Sequence, residues 1–285
     1  MLTLFQAIIL GLLQGVSELF PISSLGHSII LPALLGWAMD RHADYFLTFL
    51  VATHFATAVV LFAFYRRDWV RIIRGTLRSI AQRNLVIDSD ARLGWMLVVG
   101  TVPAGLIGLV FEKRLERLFV SPVYVAGFLA LNGILLYAAE VLRTRAKLAA
   151  EIRDPDQRIA AELTWGQSAG VGVAQVLALF PGFSRTGSTI AGGLVVGLAH
   201  EDSLRFSFLL ATPIIAAAAV LKLPKLIASH NAAAIEPALL GAACAAVAAY
   251  FSVKFLTRYF KTRTLTPFAV YCLAAGLLSL ALLLR

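Results

Sequence analysis

The chain has 285 residues, of which 59% are apolar and 14% are charged, and its mean hydropathy is +0.82. A soluble domain averages about 45–50% apolar and about 25% charged residues, so the composition excludes an ordinary soluble protein and indicates a multi-pass membrane protein. The net charge of +9 comes from Lys and Arg near the ends of apolar segments. That placement is typical of topology signals and argues against nucleic-acid binding.

Six apolar segments are long enough to cross about 30 Å of hydrocarbon, which takes roughly 20 residues each. They lie at approximately 46–65, 93–111, 121–142, 204–223, 237–257 and 266–284. Two further apolar regions, 2–36 and 166–199, are interrupted by Pro and Ser and are too short for two crossings. We expect each to form a re-entrant helical hairpin, because a break at membrane depth is tolerated only where protein or a water-filled cavity covers it.

The two hairpin regions repeat each other at an offset of about 160 residues. The aligned pairs are Gln14 with Gln175, Ser23 with Ser184 and Gly26 with Gly187. We therefore divide a single membrane domain (1–285) into repeat one, about 1–143, and repeat two, about 164–285, each with one hairpin and three spans. Three is odd, so an all-α fold with an inverted-topology repeat is predicted, and such folds place a site at the repeat interface near the midplane.

The distribution of Lys and Arg predicts the orientation. The segments 66–92, 143–165, 200–205 and 254–263 hold 17 of these residues on one face. The opposite face holds 7, namely Arg41, Lys113, Arg114, Arg117, Lys222, Lys225 and Arg285. The more basic face is predicted to be cytoplasmic, so both termini and the first hairpin open outward. The arginines of 66–78 are expected to contact anionic lipids.

The first hairpin carries a carboxylate inside an apolar run. Gln14 and Glu18 are four residues apart and therefore share one helix face. Pro21 disfavours helix at the residue before it. Ser23 and Ser24 are then placed to cap the half-helix that follows, leaving backbone N–H groups directed into the break. A charged residue at such depth is a functional-site hypothesis by default.

The same hairpin offers a nucleophile and a base. Ser24 and His27 are three residues apart, so the hydroxyl and the imidazole can meet on one face of the second half-helix. We predict that Ser24 or a water molecule is the nucleophile and that His27 moves the proton. His54 and Asn132, which lie alone in spans, are predicted to make interhelical hydrogen bonds.

The second hairpin breaks at residues 181–189 and carries Arg185 in the middle of an apolar region. Helix N-termini favour phosphate, and a guanidinium offers a rigid fork of donors. Two opposed hairpin tips with Arg185 therefore predict a phosphate or diphosphate cradle. Its phosphate-contacting residues are predicted to be Gln14, Ser23, Gly182, Ser184, Thr186 and Thr189. Because Glu18 repels phosphate, a divalent cation is expected between them.

At these residues the chain resembles the bacterial undecaprenyl-diphosphate phosphatase family, also known for bacitracin resistance. The family's Glu/Gln-x-x-x-Glu motif corresponds to Gln14–Glu18, and its P-G-x-S-R-S-x-x-T motif corresponds to Pro181–Thr189. The similarity extends over essentially the whole chain. It differs at two places, since Gln14 is the amide variant of the first motif and Thr186 replaces the second serine of the second motif.

The resemblance implies hydrolysis of a C55 isoprenyl diphosphate to the monophosphate and phosphate. The reaction would take place at the outer face of the bacterial cytoplasmic membrane and would recycle the carrier lipid of cell-wall synthesis. It also implies Mg²⁺ or Ca²⁺ as cofactor, with Glu18 and Gln14 as ligands. The catalytic roles carried over fall on Glu18, Ser24, His27 and Arg185.

Two other functions are open at this point. A transporter or flippase for a phosphorylated isoprenoid lipid would use the same repeats and the same anion site, but it would not need a nucleophile beside a base. A structural scaffold would leave Glu18 and Arg185 unexplained. The sequence does not decide between serine and water as nucleophile, nor the native metal, the isoprenoid length or the oligomeric state.

Overall fold

The computed structural model describes residues 2–40, 43–116, 121–143, 154–228 and 232–285, with side chains except at 112–116, 218–228 and 232–233. Within these ranges the chain is helical and contains no β-strand. Several basic residues used above to predict orientation lie outside the part described with side chains, namely Arg41, Lys113, Arg114, Arg117, Arg145, Lys147, Arg153, Lys222 and Lys225.

The described helices divide into two runs that are separated by the stretch 144–153. The first run contains α1 (Leu4–Ser17), α2 (Ser24–Leu34), α3 (Asp44–Phe64), α4 (Arg66–Ala81), α5 (Ser89–Glu116) and α6 (Pro122–Leu142). The second run contains α7 (Pro155–Glu162), α8 (Trp165–Gln175), α9 (Arg185–Val196), α10 (His200–Ala228), α11 (Ala232–Tyr259) and α12 (Thr266–Leu283), with a 3₁₀ turn at Val176–Leu179.

Five of the described helices are long and apolar enough to cross a membrane, namely α3, α5, α6, α11 and α12. Each coincides with a predicted span, and α10 covers the sixth predicted span at 204–223. Helices are expected here because a bilayer offers no water to the backbone, so each segment must satisfy its own N–H and C=O groups. The prediction of an all-α membrane protein is confirmed.

The two predicted hairpin regions are broken helices. Their four half-helices have 14, 11, 11 and 12 residues, which at 1.5 Å per residue falls short of about 30 Å. Helices α1 and α8 begin with the same capping box, formed by Thr3 with Gln6 and by Thr164 with Gln167. The two regions therefore resemble each other at their entry as well as at their break.

Two helices lie in charged segments outside the predicted spans. Helix α4 buries Trp69 and Ile72 while its arginines and Leu77 lie outside, so the basic run is an amphipathic helix. Helix α7 starts at a proline and is capped by Asp154. Apolar length is what predicts a span in the sequence, and these shorter, charged helices lack that property.

Acidic and basic side chains hold α4, α7 and the start of α10 together. Asp156 on α7 accepts hydrogen bonds from Arg205 on α10 at 2.6 Å and from Arg71 on α4 at 2.9 Å. Arg158 is paired with Asp202 at 2.7 Å, and this hydrogen bond raises the pKa of the Arg158 guanidinium. The basic end of the bundle is therefore ordered by ion pairs that link the two runs of helices.

Each hairpin packs on a long helix of the other run through glycine. A Cβ at Gly11 of α1 would overlap the carbonyl oxygen of Gly241 on α11, and a Cβ at Gly172 of α8 would overlap that of Gly100 on α5. Small residues let membrane helices approach closely in the absence of a hydrophobic driving force. Gly11 and Gly172 thus fix equivalent hairpins against opposite halves of the chain.

The tips of the hairpins also meet each other reciprocally. A Cβ at Gly26 of α2 would lie 3.3 Å from the Cα of Gly182, in the break of the second hairpin. A Cβ at Gly187 of α9 would lie 3.3 Å from the Cβ of Pro21, in the break of the first. The two breaks are therefore in van der Waals contact, and their polar groups are brought to one place.

Gly182→Ala should destabilise the protein by about 2 kcal/mol or more, because a side chain is strained at its φ of +114° and would press on Val125 O and Phe128 Cβ, at 2.5 and 2.7 Å. Thermal unfolding in detergent measures the effect. Gly105→Ala in α5 is the control, since nothing lies within 4 Å of its added Cβ and alanine favours helix. Equal midpoints for the two variants would contradict the tip packing described above.

Candidate active site

Glu18 lies directly after α1 at the break of the first hairpin and is 8% exposed. Its carboxylate has four side-chain partners among the described residues. Gln14 Nε2 donates to Oε2 at 3.0 Å, the Ser24 hydroxyl donates to the same oxygen, and His54 Nε2 lies 3.3 Å from it. The guanidinium of Arg185 donates to Oε1. Two hairpins and one full span thus converge on one carboxylate.

Arg185 joins the two hairpins. As the first residue of α9 it stands where a helix N-terminus favours negative charge, and it forms an ion pair with Glu18. Its other terminal nitrogen donates to the Ala211 carbonyl on α10 at 3.2 Å. The sequence predicts that Arg185 contacts the diphosphate and that Glu18 holds a cation opposite it. Here the two charges bind each other directly.

Asn132 of α6 holds the two breaks in register. Its Nδ2 donates to the Pro21 carbonyl at 3.0 Å, and its Oδ1 accepts from the Ser184 backbone N–H at 3.0 Å. The Thr186 hydroxyl adds a bond to the Glu18 carbonyl at 3.0 Å. The predicted interhelical role of Asn132 is confirmed, and its bonds satisfy backbone groups that the broken helices leave open.

Serine caps both inner half-helices, as predicted for Ser23. The Ser23 hydroxyl accepts from Gly26 N at 3.2 Å, and the Ser184 hydroxyl accepts from Gly187 N at 3.0 Å. Ser23 adopts a φ of 70°, which is strained for a residue other than glycine. Ser24 does not act as a cap in this arrangement; it begins α2 and directs its hydroxyl to Glu18.

His27 is not paired with Ser24 in the described structure. Its Nδ1 lies 2.7 Å from the Ser23 carbonyl oxygen, and its Nε2 lies 2.8 Å from the Tyr271 hydroxyl on α12. The i, i+3 spacing placed both residues on one helix, but Glu18 offers Ser24 a charged acceptor and the carbonyl of Ser23 takes the imidazole. The proton-transfer role assigned to His27 stays a prediction.

Two of the residues predicted to contact phosphate, Thr189 and Gly182, pack the second hairpin tip against neighbouring helices. Thr189 is buried, bonds the Arg185 carbonyl at 2.9 Å and meets the Ser207 hydroxyl at 2.5 Å on α10. Gly182 forms the turn that packs on α6. Both residues therefore help to position the backbone around Arg185. Their direct contact with phosphate stays a prediction.

His54 makes the interhelical contact that was predicted for it, and its partner is the carboxylate at the centre of the site. The sequence did not predict that His54 belongs to the site. The sequence carried one signal, an ionisable residue in the middle of an apolar span. Nothing in the local pattern of α3 relates that position to Glu18.

The residues near Glu18 offer few ligands for a divalent cation. Gln14 Oε1 is buried and has no hydrogen-bond partner, and it belongs to the side chain that already contacts Glu18. Among the described residues no group of three or more His, Cys, Asp or Glu could hold a metal by itself. One carboxylate with one open amide oxygen fits Mg²⁺, which usually takes one or two protein carboxylates and completes its shell with water and substrate phosphates.

Comparison with known proteins shows the family of the chain. The family described as bacitracin resistance protein BacA matches residues 7–278. The chain belongs to this family. It is 47% identical over 292 residues to an undecaprenyl-diphosphatase of Mycolicibacterium paratuberculosis, covering 96% of the chain and 95% of the relative. It is 46% identical over 277 residues to undecaprenyl-diphosphatase 2 of Burkholderia ambifaria, covering 96% and 95%.

A third relative extends the similarity. Undecaprenyl-diphosphatase 2 of Frankia alni is 40% identical over 333 residues, covering 97% of each chain. The breaks of both hairpins lie inside the matched residues of the BacA family, so the family membership includes the residues around Glu18 and Arg185.

Asn132→Leu should lower stability by about 2 kcal/mol or more, because a side chain of similar size would leave the buried Ser184 N–H without its partner and the Pro21 carbonyl with only the weak Cys272 thiol donor. Thermal unfolding checks this. Thr101→Val on α5 is the control, since the Thr101 hydroxyl bonds only the Leu97 carbonyl of its own helix. The role given to Asn132 fails if both variants unfold at the wild-type temperature.

Proposed function

We propose that this protein hydrolyses undecaprenyl diphosphate to undecaprenyl phosphate and inorganic phosphate. The observation that carries the proposal is the cluster of Ser24, Glu18 and Arg185, which places a nucleophile, a base and an anion-binding cation together at the meeting point of two broken helices. Membership of the BacA family and relatives named undecaprenyl-diphosphatase support it.

Ser24 supplies the attacking oxygen in the first step. Its hydroxyl already donates to Glu18, so the carboxylate accepts the proton as the oxygen attacks the terminal phosphorus. The bond from that phosphorus to the bridging oxygen breaks, and isoprenyl monophosphate leaves with the electron pair. Water then attacks the phosphoserine, which releases inorganic phosphate and returns the proton to Ser24.

Arg185 binds the diphosphate in this proposal. Its guanidinium is held by Glu18 and Ala211 at the N-terminus of α9, where backbone N–H groups also face the break. An incoming diphosphate carries more charge than one carboxylate and takes over part of this bonding. Donors fixed in advance at a buried site stabilise the charge that develops in the transition state.

Glu18 and Gln14 Oε1 are the residues that would hold a divalent cation beside the diphosphate. Such an ion supplies neutralisation of phosphate charge and polarisation of the phosphoryl group. We propose Mg²⁺ or Ca²⁺, because both prefer oxygen ligands.

The finer architecture is part of the proposal. We assign repeat one to about 1–143 and repeat two to about 164–285, inverted relative to each other, with re-entrant hairpins at 2–36 and 166–199. The matching capping boxes of α1 and α8, the glycine contacts of Gly11 and Gly172 and the reciprocal meeting of the tips support this duplication.

We place the protein in the bacterial cytoplasmic membrane with the site open to the outer face. The excess of Lys and Arg on the opposite face supports this orientation. The isoprenoid tail then remains in the bilayer beside the apolar outer surfaces of the spans while the headgroup enters between the tips.

A carrier for the same lipid fits the geometry less well. Alternating access needs a headgroup site between repeats, which Arg185 and the hairpin tips provide, but it does not need a serine hydroxyl bonded to a buried carboxylate. The contact of Ser24 with Glu18 therefore favours the hydrolase.

Phosphate release from undecaprenyl diphosphate by purified protein tests the enzyme. Ser24→Ala should lower kcat about 10³-fold, because it removes the nucleophile, and Arg185→Ala should lower it about 100-fold or more, because it removes a charged donor. A chelator should abolish release, and Mg²⁺ or Ca²⁺ should restore it.

Two matched variants control for general damage. Ser252→Ala removes a buried hydroxyl that bonds only the Ala248 carbonyl of its own helix, and Arg258→Ala removes an exposed arginine near the end of α11. Both should keep wild-type rates. Folded wild-type protein that binds the lipid without releasing phosphate would overturn the hydrolase in favour of the carrier. Release that survives Ser24→Ala alone would move the attack to water.

Cysteine labelling in cells tests the orientation. In a Cys244→Ala background, Leu284→Cys after α12 should react with a membrane-impermeant thiol reagent in intact cells. Leu85→Cys, between α4 and α5, should react only after permeabilisation. Both side chains are exposed, at 68% and 51%. The reverse labelling pattern would show that the site opens to the cytoplasm.

A further inference from the structure

His54 contacts the site from outside the two hairpins. It lies within α3, a full span, and its Nε2 is 3.3 Å from Glu18 Oε2. Its other ring nitrogen, Nδ1, lies 2.7 Å from the Leu50 carbonyl one turn earlier, and this contact fixes the plane of the ring. Both ring nitrogens face oxygen acceptors, so His54 donates to both as the imidazolium, the form in which each nitrogen carries a hydrogen. The imidazole is therefore pre-oriented by its own helix toward the carboxylate.

The partners of Glu18 differ in what the reaction requires of them. Ser24 must release its hydrogen bond in order to attack, and Arg185 must turn at least part of its guanidinium to the diphosphate. Neither Gln14 nor His54 has to release Glu18 in the proposed steps. Among the described partners, His54 alone comes from a full span; Gln14 sits one turn from Glu18 on the same half-helix.

Buried neighbours and helix packing hold the part of α3 that carries His54 in place. The adjacent Thr53 and the nearby Thr57 are fully buried, and their hydroxyls bond carbonyls of the same helix. Helix α3 packs along α11 and α10. A hydrogen bond from a locked ring holds a carboxylate in one rotamer more effectively than one from a side chain that moves with it.

We propose that His54 is a positioning residue that holds the Glu18 carboxylate in its catalytic orientation while Ser24 and Arg185 engage the diphosphate. The inference rests on the proposed hydrolase function and deepens it. His54 touches neither the nucleophile nor the phosphate in this scheme; it acts through Glu18. Its loss should therefore slow the chemical step while leaving substrate binding nearly unchanged.

Three substitutions separate hydrogen bonding from packing. His54→Phe keeps a ring of similar size without a nitrogen, and kcat should fall about 10- to 100-fold with KM within about threefold of wild type. His54→Gln retains a donor of similar reach, so kcat should return to within about fivefold of wild type. If His54→Phe does not fold, His54→Met supplies the apolar comparison.

The matched control is His200→Phe. His200 is also partnered by a carboxylate, with its Nε2 3.0 Å from Glu140, but it lies at the start of α10, away from the hairpin breaks. Its replacement should leave kcat unchanged. An equal loss of kcat in His54→Phe and His200→Phe would reduce the effect to general damage and overturn the proposal.

A double-substitution cycle with Glu18→Gln shows whether His54 acts through Glu18. The double variant should be no slower than Glu18→Gln alone, and the shifts in unfolding temperature should be non-additive, which is a readout independent of turnover. Additive losses in both quantities would overturn the proposal. So would full activity of His54→Phe, a rise in KM as its main effect, or His54→Gln as slow as His54→Phe.

Failure of the His54 proposal can be distinguished from failure of the proposed hydrolase function. If folded wild-type protein releases no phosphate, the hydrolase proposal fails, and non-additivity of the unfolding temperatures still tests the coupling between His54 and Glu18. If wild-type protein releases phosphate and the His54 variants behave as wild type, only the positioning role is lost.

Discussion

The ion pair between Glu18 and Arg185 is the interaction on which the rest of the structure depends. A charge held inside a membrane protein is expensive, and each of these two residues would lose an oppositely charged partner without the other. The first hairpin supplies the carboxylate and the second supplies the guanidinium, so neither hairpin is electrostatically complete alone. The glycine contacts that press the hairpins against α5 and α11, and the reciprocal contact of their tips, bring the two charges within bonding distance. The close packing at these glycines thus makes the pairing of the two buried charges possible.

Broken helices at this depth impose a second constraint, since their open backbone groups must be satisfied by protein. Ser23 and Ser184 cap the inner half-helices, and Asn132 bonds both breaks at once. These bonds leave the side chains of Ser24 and Arg185, which follow the two caps directly, free to face Glu18. The residues that stabilise the break therefore also aim the reactive groups, which explains how an irregular backbone can be both stable and functional here.

The chemistry follows from the number of partners around one carboxylate. Glu18 is both the acceptor for the Ser24 hydroxyl and the counter-ion of Arg185. In the proposed hydrolysis, a diphosphate that binds Arg185 would therefore change the surroundings of the base at the same moment. A support from outside the hairpins resolves this conflict, because it keeps the carboxylate in place during the exchange of partners. His54 is so placed on α3, a helix whose position is set by its packing on α10 and α11.

The sequence by itself determined the membrane class, the five described helices that are long and apolar enough to cross a membrane, the two interrupted helices and the Ser23 cap. Each of these depends on residues that are neighbours in the chain: apolar length, a proline break, a hydroxyl at a helix start. It also identified Glu18 and Arg185, since a charge in an apolar run has few structural explanations. The sequence did not predict the amphipathic helix α4 or the short helix α7, because both are as highly charged as a typical loop. Only the tertiary structure decided which partner each polar group takes. Ser24 bonds Glu18 while His27 bonds Ser23 and Tyr271, and His54 joins the site from a distant span. Those choices depend on how closely glycine lets helices from both halves approach, a property of packing between segments that local spacing does not contain.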